Sequence, residues 1–135
     1  HADKGVILLC RTSNPGAKDL QDLYCSGKPL YQRVAETIAR DWNGNNNCLL
    51  VVGATWPQQL AEVRAIVGDM PFLVPGVGAQ GGDVQQIIQN GRGKASDALI
   101  ISSSRAILYA GNGPDFAEAA RAAAMKQRDE INCYR

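Results

Sequence analysis

Two short runs hold the groups best suited to gripping an anion. Pro75-Gly76-Val77-Gly78-Ala79-Gln80-Gly81-Gly82-Asp83 has four glycines in nine residues. Glycine admits positive φ and lets the backbone approach a ligand closely. Such a loop can aim successive N–H groups at an anion and can close as a lid; without a ligand the same composition is a connector. Gln80 can bridge a phosphate and another polar ligand group, or simply be solvated. The second run is Ser102-Ser103-Ser104-Arg105. Arg105 offers a planar fork of donors matched to phosphate oxygens, with Ser104 and its neighbours as neutral donors; the plainer alternative is a surface ion pair. A third run, Thr12-Ser13-Asn14-Pro15-Gly16, can present hydroxyls and amides to a polar heterocycle, or form a turn whose hydroxyls cap nearby backbone. Asp83 reads as a helix N-cap rather than a base. Reactive groups are scarce: these runs contain no Lys–Asp cluster, no histidine and no Cys–His pair. Acid–base chemistry wants groups of opposed charge or environment, so the segment offers binding and no catalytic residue.

These runs follow apolar segments that read as strands. Gly5–Cys10, Cys48–Gly53, Pro71–Val74 and Asp97–Ile101 are short and largely aliphatic, the signature of parallel strands buried on both faces. Between them lie helical patterns. From Pro29 to Trp42 the apolar positions Leu30, Val34, Ile38 and Trp42 fall four apart, which predicts one buried stripe. Pro57 suits the first turn of a helix bearing Leu60, Val63, Ile66 and Val67 on one face, with Gly68 as its stop. A short helix is expected from Val84 to Asn90. An alanine-rich helix is expected from about Asp115 towards Cys133. The order β-α-β-α-β-α-β-α implies parallel strands with right-handed crossovers. Two closures fit: a flavodoxin-like open sheet, or part of a (β/α)8 barrel. In both, ligands bind at the carboxyl ends of the strands, where the three polar runs and the loop Ala54–Pro57 fall.

Composition narrows the function classes. The 135 residues carry 14 basic and 13 acidic side chains, a formal charge of +1. That balance gives no nucleic-acid footprint, yet one or two placed cations suffice for a small anion. The cysteines Cys10, Cys25, Cys48 and Cys133 form no CxxC pair, which fits reduced thiols in a cytoplasmic protein. The single histidine, His1, gives no support for a zinc site. No apolar run reaches the ~20 residues of a membrane span. The length is about half of the ~250 residues of a closed barrel, and the chain enters its first strand almost at once, so further residues are expected upstream.

LLCRTSNPGA, VVGAT-P--L, FLVPGVGAQGGD and ISSSRAILYA occur in this order at four successive strand ends. Together they resemble the C-terminal half of orotidine 5'-monophosphate decarboxylase, in particular its longer bacterial subclass, over about Gly5 to Ala124. The resemblance implies α/β architecture, with these units as strands 5–8 of a (β/α)8 TIM barrel. It implies decarboxylation of orotidine 5'-phosphate to UMP without metal or organic cofactor, in a homodimer. By resemblance, Ser13 recognises the amide edge of the pyrimidine, Gln80 links that contact to the phosphate, and Arg105 binds the phosphate. Pro75 and Val77 line the ring pocket and closing loop, with Thr12, Asn14, Gly78 and Ser104 alongside. The departure is equally informative. Family catalysis rests on an Asp-Lys-Asp network in a DxKxxD-type motif, which this sequence lacks; Asp3-Lys4 precedes the first strand and does not match it. The chain is therefore expected to be inactive without an N-terminal half. The competing readings are a non-catalytic half-barrel that binds a phosphorylated ligand, and another phosphate-binding barrel enzyme such as a ribulose-phosphate epimerase relative.

Overall fold

The computed structural model describes residues 1–77, 83–94 and 98–135. Four parallel strands, β1 (Val6–Arg11), β4 (Cys48–Val52), β5 (Phe72–Pro75) and β6 (Leu99–Ser102), form one sheet in that order. The helices are α1 (Ala17–Gln21), α2 (Leu30–Thr37), α3 (Pro57–Val67), α4 (Val84–Gly91), α5 (Arg105–Leu108) and α6 (Phe116–Asn132). A two-stranded hairpin, β2 (Tyr24–Cys25) with β3 (Lys28–Pro29), precedes α2. The order of the sheet follows the order of the chain. A flavodoxin-like sheet would reverse direction at a switch point; this one winds one way, as a barrel does.

The two faces of the sheet differ. One face buries Cys10, Cys48, Leu50, Val52, Phe72 and Val74 against Tyr31, Ala35 and Ile38 of the α2 region, Leu60 and Val63 of α3, and Ile87 and Ile88 of α4. Each large aliphatic or aromatic side chain removed from water there contributes about 1.5–3 kcal/mol. The opposite face carries Ile7, Leu9, Leu49, Val51, Leu73 and Ile100, aligned by the register pairs Ile7–Leu49, Leu9–Val51, Val51–Leu73 and Leu73–Ile100. It is apolar but uncovered: Leu9 is 68% exposed, Ile7 51% and Ile100 47%. The expectation of strands buried on both faces therefore fails for the outer strands, where Ile7, Leu9 and Ile100 stay exposed on that side.

Local signals explain most boundaries. Pro57 occupies the first turn of α3, and Gly68 ends it at φ 62°. The Asp83 carboxylate accepts from the Gln86 amide at 3.1 Å, capping α4 as its position suggested. Ser26 (φ 52°) and Gly27 (φ 84°) make the two-residue turn between β2 and β3; paired positive φ values match the right-handed twist of a hairpin. The buried stripe of α2 is Tyr31, Ala35 and Ile38, whereas Leu30 is half-buried and Trp42 is 59% exposed. The cause is a π-helical turn over Ile38–Trp42, whose wider winding rotates position 42 off the stripe.

At the amino ends of β5 and β6, Arg64 joins the α3–β5 and α4–β6 connections. Its Nε donates to the Gly91 carbonyl at 2.8 Å and its Nη1 to that of Met70 at 2.7 Å. Nη1 also donates to the Gly68 carbonyl, and Nη2 to that of Ala98 at 3.2 Å. The guanidinium lies 3.7 Å from the centre of the Phe72 ring. Burial lowers its pKa to about 10.

Candidate functional site

The carboxyl ends of the four strands are tied sideways to one another. The Gly53 amide donates to the Arg11 carbonyl at 2.7 Å, and the Ala54 amide to that of Pro75 at 2.9 Å. Pro75 pairs in register with Ser102, and Ser103 Oγ donates to the Val77 carbonyl at 3.4 Å. The runs beginning at Thr12, Ala54, Pro75 and Ser102 thus share one rim. Gly76, at φ 98°, takes the left-handed backbone that its loop needs.

The site candidates fall on this rim in different ways. Ser13 and Thr12 are half-buried and Asn14 is exposed, with Thr12 Oγ1 donating to Asn14 Oδ1 at 2.6 Å. Pro75 is half-buried at the end of β5. Val77 is buried and belongs to the core cluster, so its side chain underlies the loop. Ser104 and Arg105 are exposed at the start of α5, and Arg105 forms no ion pair among the described residues. Gly78 and Gln80 lie outside the described residues. The Asp3–Lys4 pair, at 2.8 Å, is exposed at the amino end of β1, the far end of the strand from the rim. Among the described residues no group of three His, Cys, Asp or Glu side chains is arranged to hold a metal ion, and no helix is long and apolar enough to cross a membrane.

Beneath the Thr12–Gly16 run lies a cluster that the sequence reading did not single out. Arg11, one residue past the expected end of the first strand, ends β1 just past a break in register and is fully buried. Its guanidinium sits 4.6 Å from the Trp56 ring centre and 5.6 Å from that of Tyr31. Nη1 donates to Gln21 Oε1 at 3.1 Å, and Nη2 pairs with the Asp22 carboxylate at 3.0 Å. Gln21 Oε1 also accepts from the Thr12 amide at 2.9 Å, while Gln21 Nε2 donates to Thr12 Oγ1 at 3.0 Å. Trp56 Nε1 donates to the Thr12 carbonyl at 2.9 Å. Gly53 faces Ser13 so closely that an added Cβ would lie 2.8 Å from the Ser13 Cβ and amide nitrogen.

Comparisons with known proteins show the family and the fold. The family model for Orotidine 5'-phosphate decarboxylase / HUMPS matches residues 1–123. An orotidine 5'-phosphate decarboxylase of Cellvibrio japonicus is 63% identical over all 135 residues, and one of Azoarcus is 62% identical. The chain spans half the length of each. Among solved structures, the Leishmania donovani OMP decarboxylase matches 99% of the chain with 49% of its own length, at a TM-score of 0.86 and 38% identity. The UMP synthase of the same organism gives a TM-score of 0.90 at 42% identity, with the match covering 28% of its chain. The four-stranded sheet is thus about half of such a barrel. By sequence and by fold, the chain belongs to the orotidine 5'-phosphate decarboxylase / HUMPS family.

Proposed function

We propose that this chain is the C-terminal, ligand-gripping half of an orotidine 5'-phosphate decarboxylase, the enzyme that converts orotidine 5'-phosphate to UMP and carbon dioxide. The observation that carries this reading is the shared rim. The Thr12–Gly16, Pro75–Val77 and Ser102–Arg105 runs stand side by side at the ligand end of a parallel sheet, in a chain 63% identical to half of such an enzyme. Arg105 and Gln80 take the phosphate, and Ser13 takes the amide edge of the pyrimidine. The phosphate is remote from the carbon that loses its carboxylate, so its binding energy serves the reaction at a distance. The chain carries no DxKxxD-type motif. The residues that act on the carbon–carbon bond therefore come from the other half of the barrel, which also covers the open face of the sheet. The enzyme works in the cytoplasm as a homodimer and needs neither metal nor organic cofactor.

Calorimetric titration of the folded chain with UMP, with uridine as control, tests the gripping role. Binding that depends on the phosphate is the expected result, and its absence overturns the reading. Addition of a separately made N-terminal half should then produce decarboxylation. Nucleotide binding with no turnover in that mixture would identify a non-catalytic binding half-barrel instead.

A further inference from the structure

We infer that Arg11, Gln21, Trp56 and Gly53 form a clamp that fixes Ser13 and thereby selects uracil over cytosine; the inference rests on the nucleotide reading above. Every polar group of Thr12 is engaged. Its amide meets Gln21, its carbonyl meets Trp56, and its hydroxyl accepts from Gln21 while donating to Asn14. Ser13 is bonded directly to this immobilised residue and rests against Gly53, where no side chain fits. Gln21 is held in turn by buried Arg11, whose guanidinium lies over the Trp56 ring. Trp56 belongs to the loop after β4, so two strand ends grip a single loop.

The chemistry gives the clamp a purpose. Uracil presents a carbonyl and an N–H where cytosine presents an amino group and a bare ring nitrogen. A serine hydroxyl can donate or accept, so a mobile Ser13 would serve both bases. Discrimination requires Ser13 and its backbone amide to be held in one orientation, since a site built for one hydrogen-bond pattern rejects the other by leaving buried groups unpaired. These are positioning residues; none of them is assigned contact with the nucleotide.

The test compares UMP, CMP and ribose 5-phosphate binding to the whole chain by calorimetry. Trp56→Phe keeps a ring over Arg11 but cannot donate to the Thr12 carbonyl. Gln21→Met keeps the length of the side chain but loses both links to Thr12. Gly53→Ala pushes directly on Ser13. In each variant the UMP-to-CMP affinity ratio should fall about five- to tenfold, the scale of one lost neutral hydrogen bond, while ribose 5-phosphate binding stays within about twofold. Thermal melting identifies any variant that has not folded, and the remaining variants then carry the test. A wild-type chain that selects UMP, with folded variants that select it equally well, would overturn the clamp and leave the nucleotide reading intact. Equal wild-type binding of UMP and CMP would overturn base selection. A wild-type chain that binds neither UMP nor ribose 5-phosphate would overturn the nucleotide reading, and the clamp's role with it.

Discussion

Cys10 and Tyr31 lie together under the ligand rim, where the Cys10 thiol donates to the Tyr31 carbonyl at 3.3 Å. Burial pushes the thiol up to about 12 from its usual 9. Burial, followed by the Tyr31 hydroxyl's hydrogen bond to the Glu62 carboxylate, pushes the phenol up to about 12 from 10. Both groups hold their protons more tightly folded than unfolded. Their stabilising contribution is therefore complete below about pH 9 and is lost as pH rises towards 12. Melting temperature measured from pH 8 to 11 should fall, and less steeply in Cys10→Ala. At the rim, Arg105→Ala should weaken UMP binding by about 1.5–3 kcal/mol, the range for a charged hydrogen bond, and leave uridine binding unchanged. Unaltered UMP affinity by calorimetry would remove Arg105 from the phosphate site. The positions of Arg105 and Ser13 at the carboxyl ends of their strands were legible, because each follows an aliphatic run. Arg11 was not, because its burial depends on Tyr31 and Trp56, which lie 20 and 45 positions away in the sequence. An arginine beside a turn otherwise looks solvated.

The four sheet strands were legible as aliphatic runs, to within one or two residues at their ends. So were α3, whose start at Pro57 and stop at Gly68 stand at the expected positions, and α4, which starts at Val84 as expected and ends one residue later, at Gly91. Four features were not. The helices α1 and α5 have five and four residues, and the hairpin strands β2 and β3 have two each, too short for periodicity to register. The π-helical turn at Ile38–Trp42 moves Trp42 to the surface through backbone winding, which four-residue spacing cannot reveal. The hairpin did leave a signal, a Ser-Gly pair of the kind that accepts positive φ. Gly27 has no atom within 4 Å of an added Cβ, so Gly27→Ala tests backbone conformation alone. The left-handed region costs an L-residue about 1–2 kcal/mol. Urea unfolding should show a loss of that order without a change in slope.

On the scale of the whole molecule, the sheet leaves Ile7, Leu9 and Ile100 of an aliphatic face exposed and, among the described residues, two parallel edges, β1 and β6, unpaired. Exposed patches of this kind drive association, and unpaired edges template it. Sedimentation velocity of the isolated chain should therefore show concentration-dependent self-association. Replacing Leu9 and Ile100 with asparagine should weaken it with little loss of melting temperature, since neither side chain is in the core. A wild-type chain that remains monomeric as concentration rises would contradict this. The extent of that face was hidden in the sequence, because an aliphatic strand reads the same whether one side or both sides are covered.

The Arg64 fork gives this half-barrel a mechanical polarity. Four carbonyls from the turns around β5 and β6 converge on one rigid, planar group at the end away from the ligand. Loops at the rim can then exchange sequence while the opposite end acts as a fixed hub from which the strands are aimed. Drift in the rim loops over generations would leave their anchorage intact, whereas the loss of a single guanidinium would loosen two connections together.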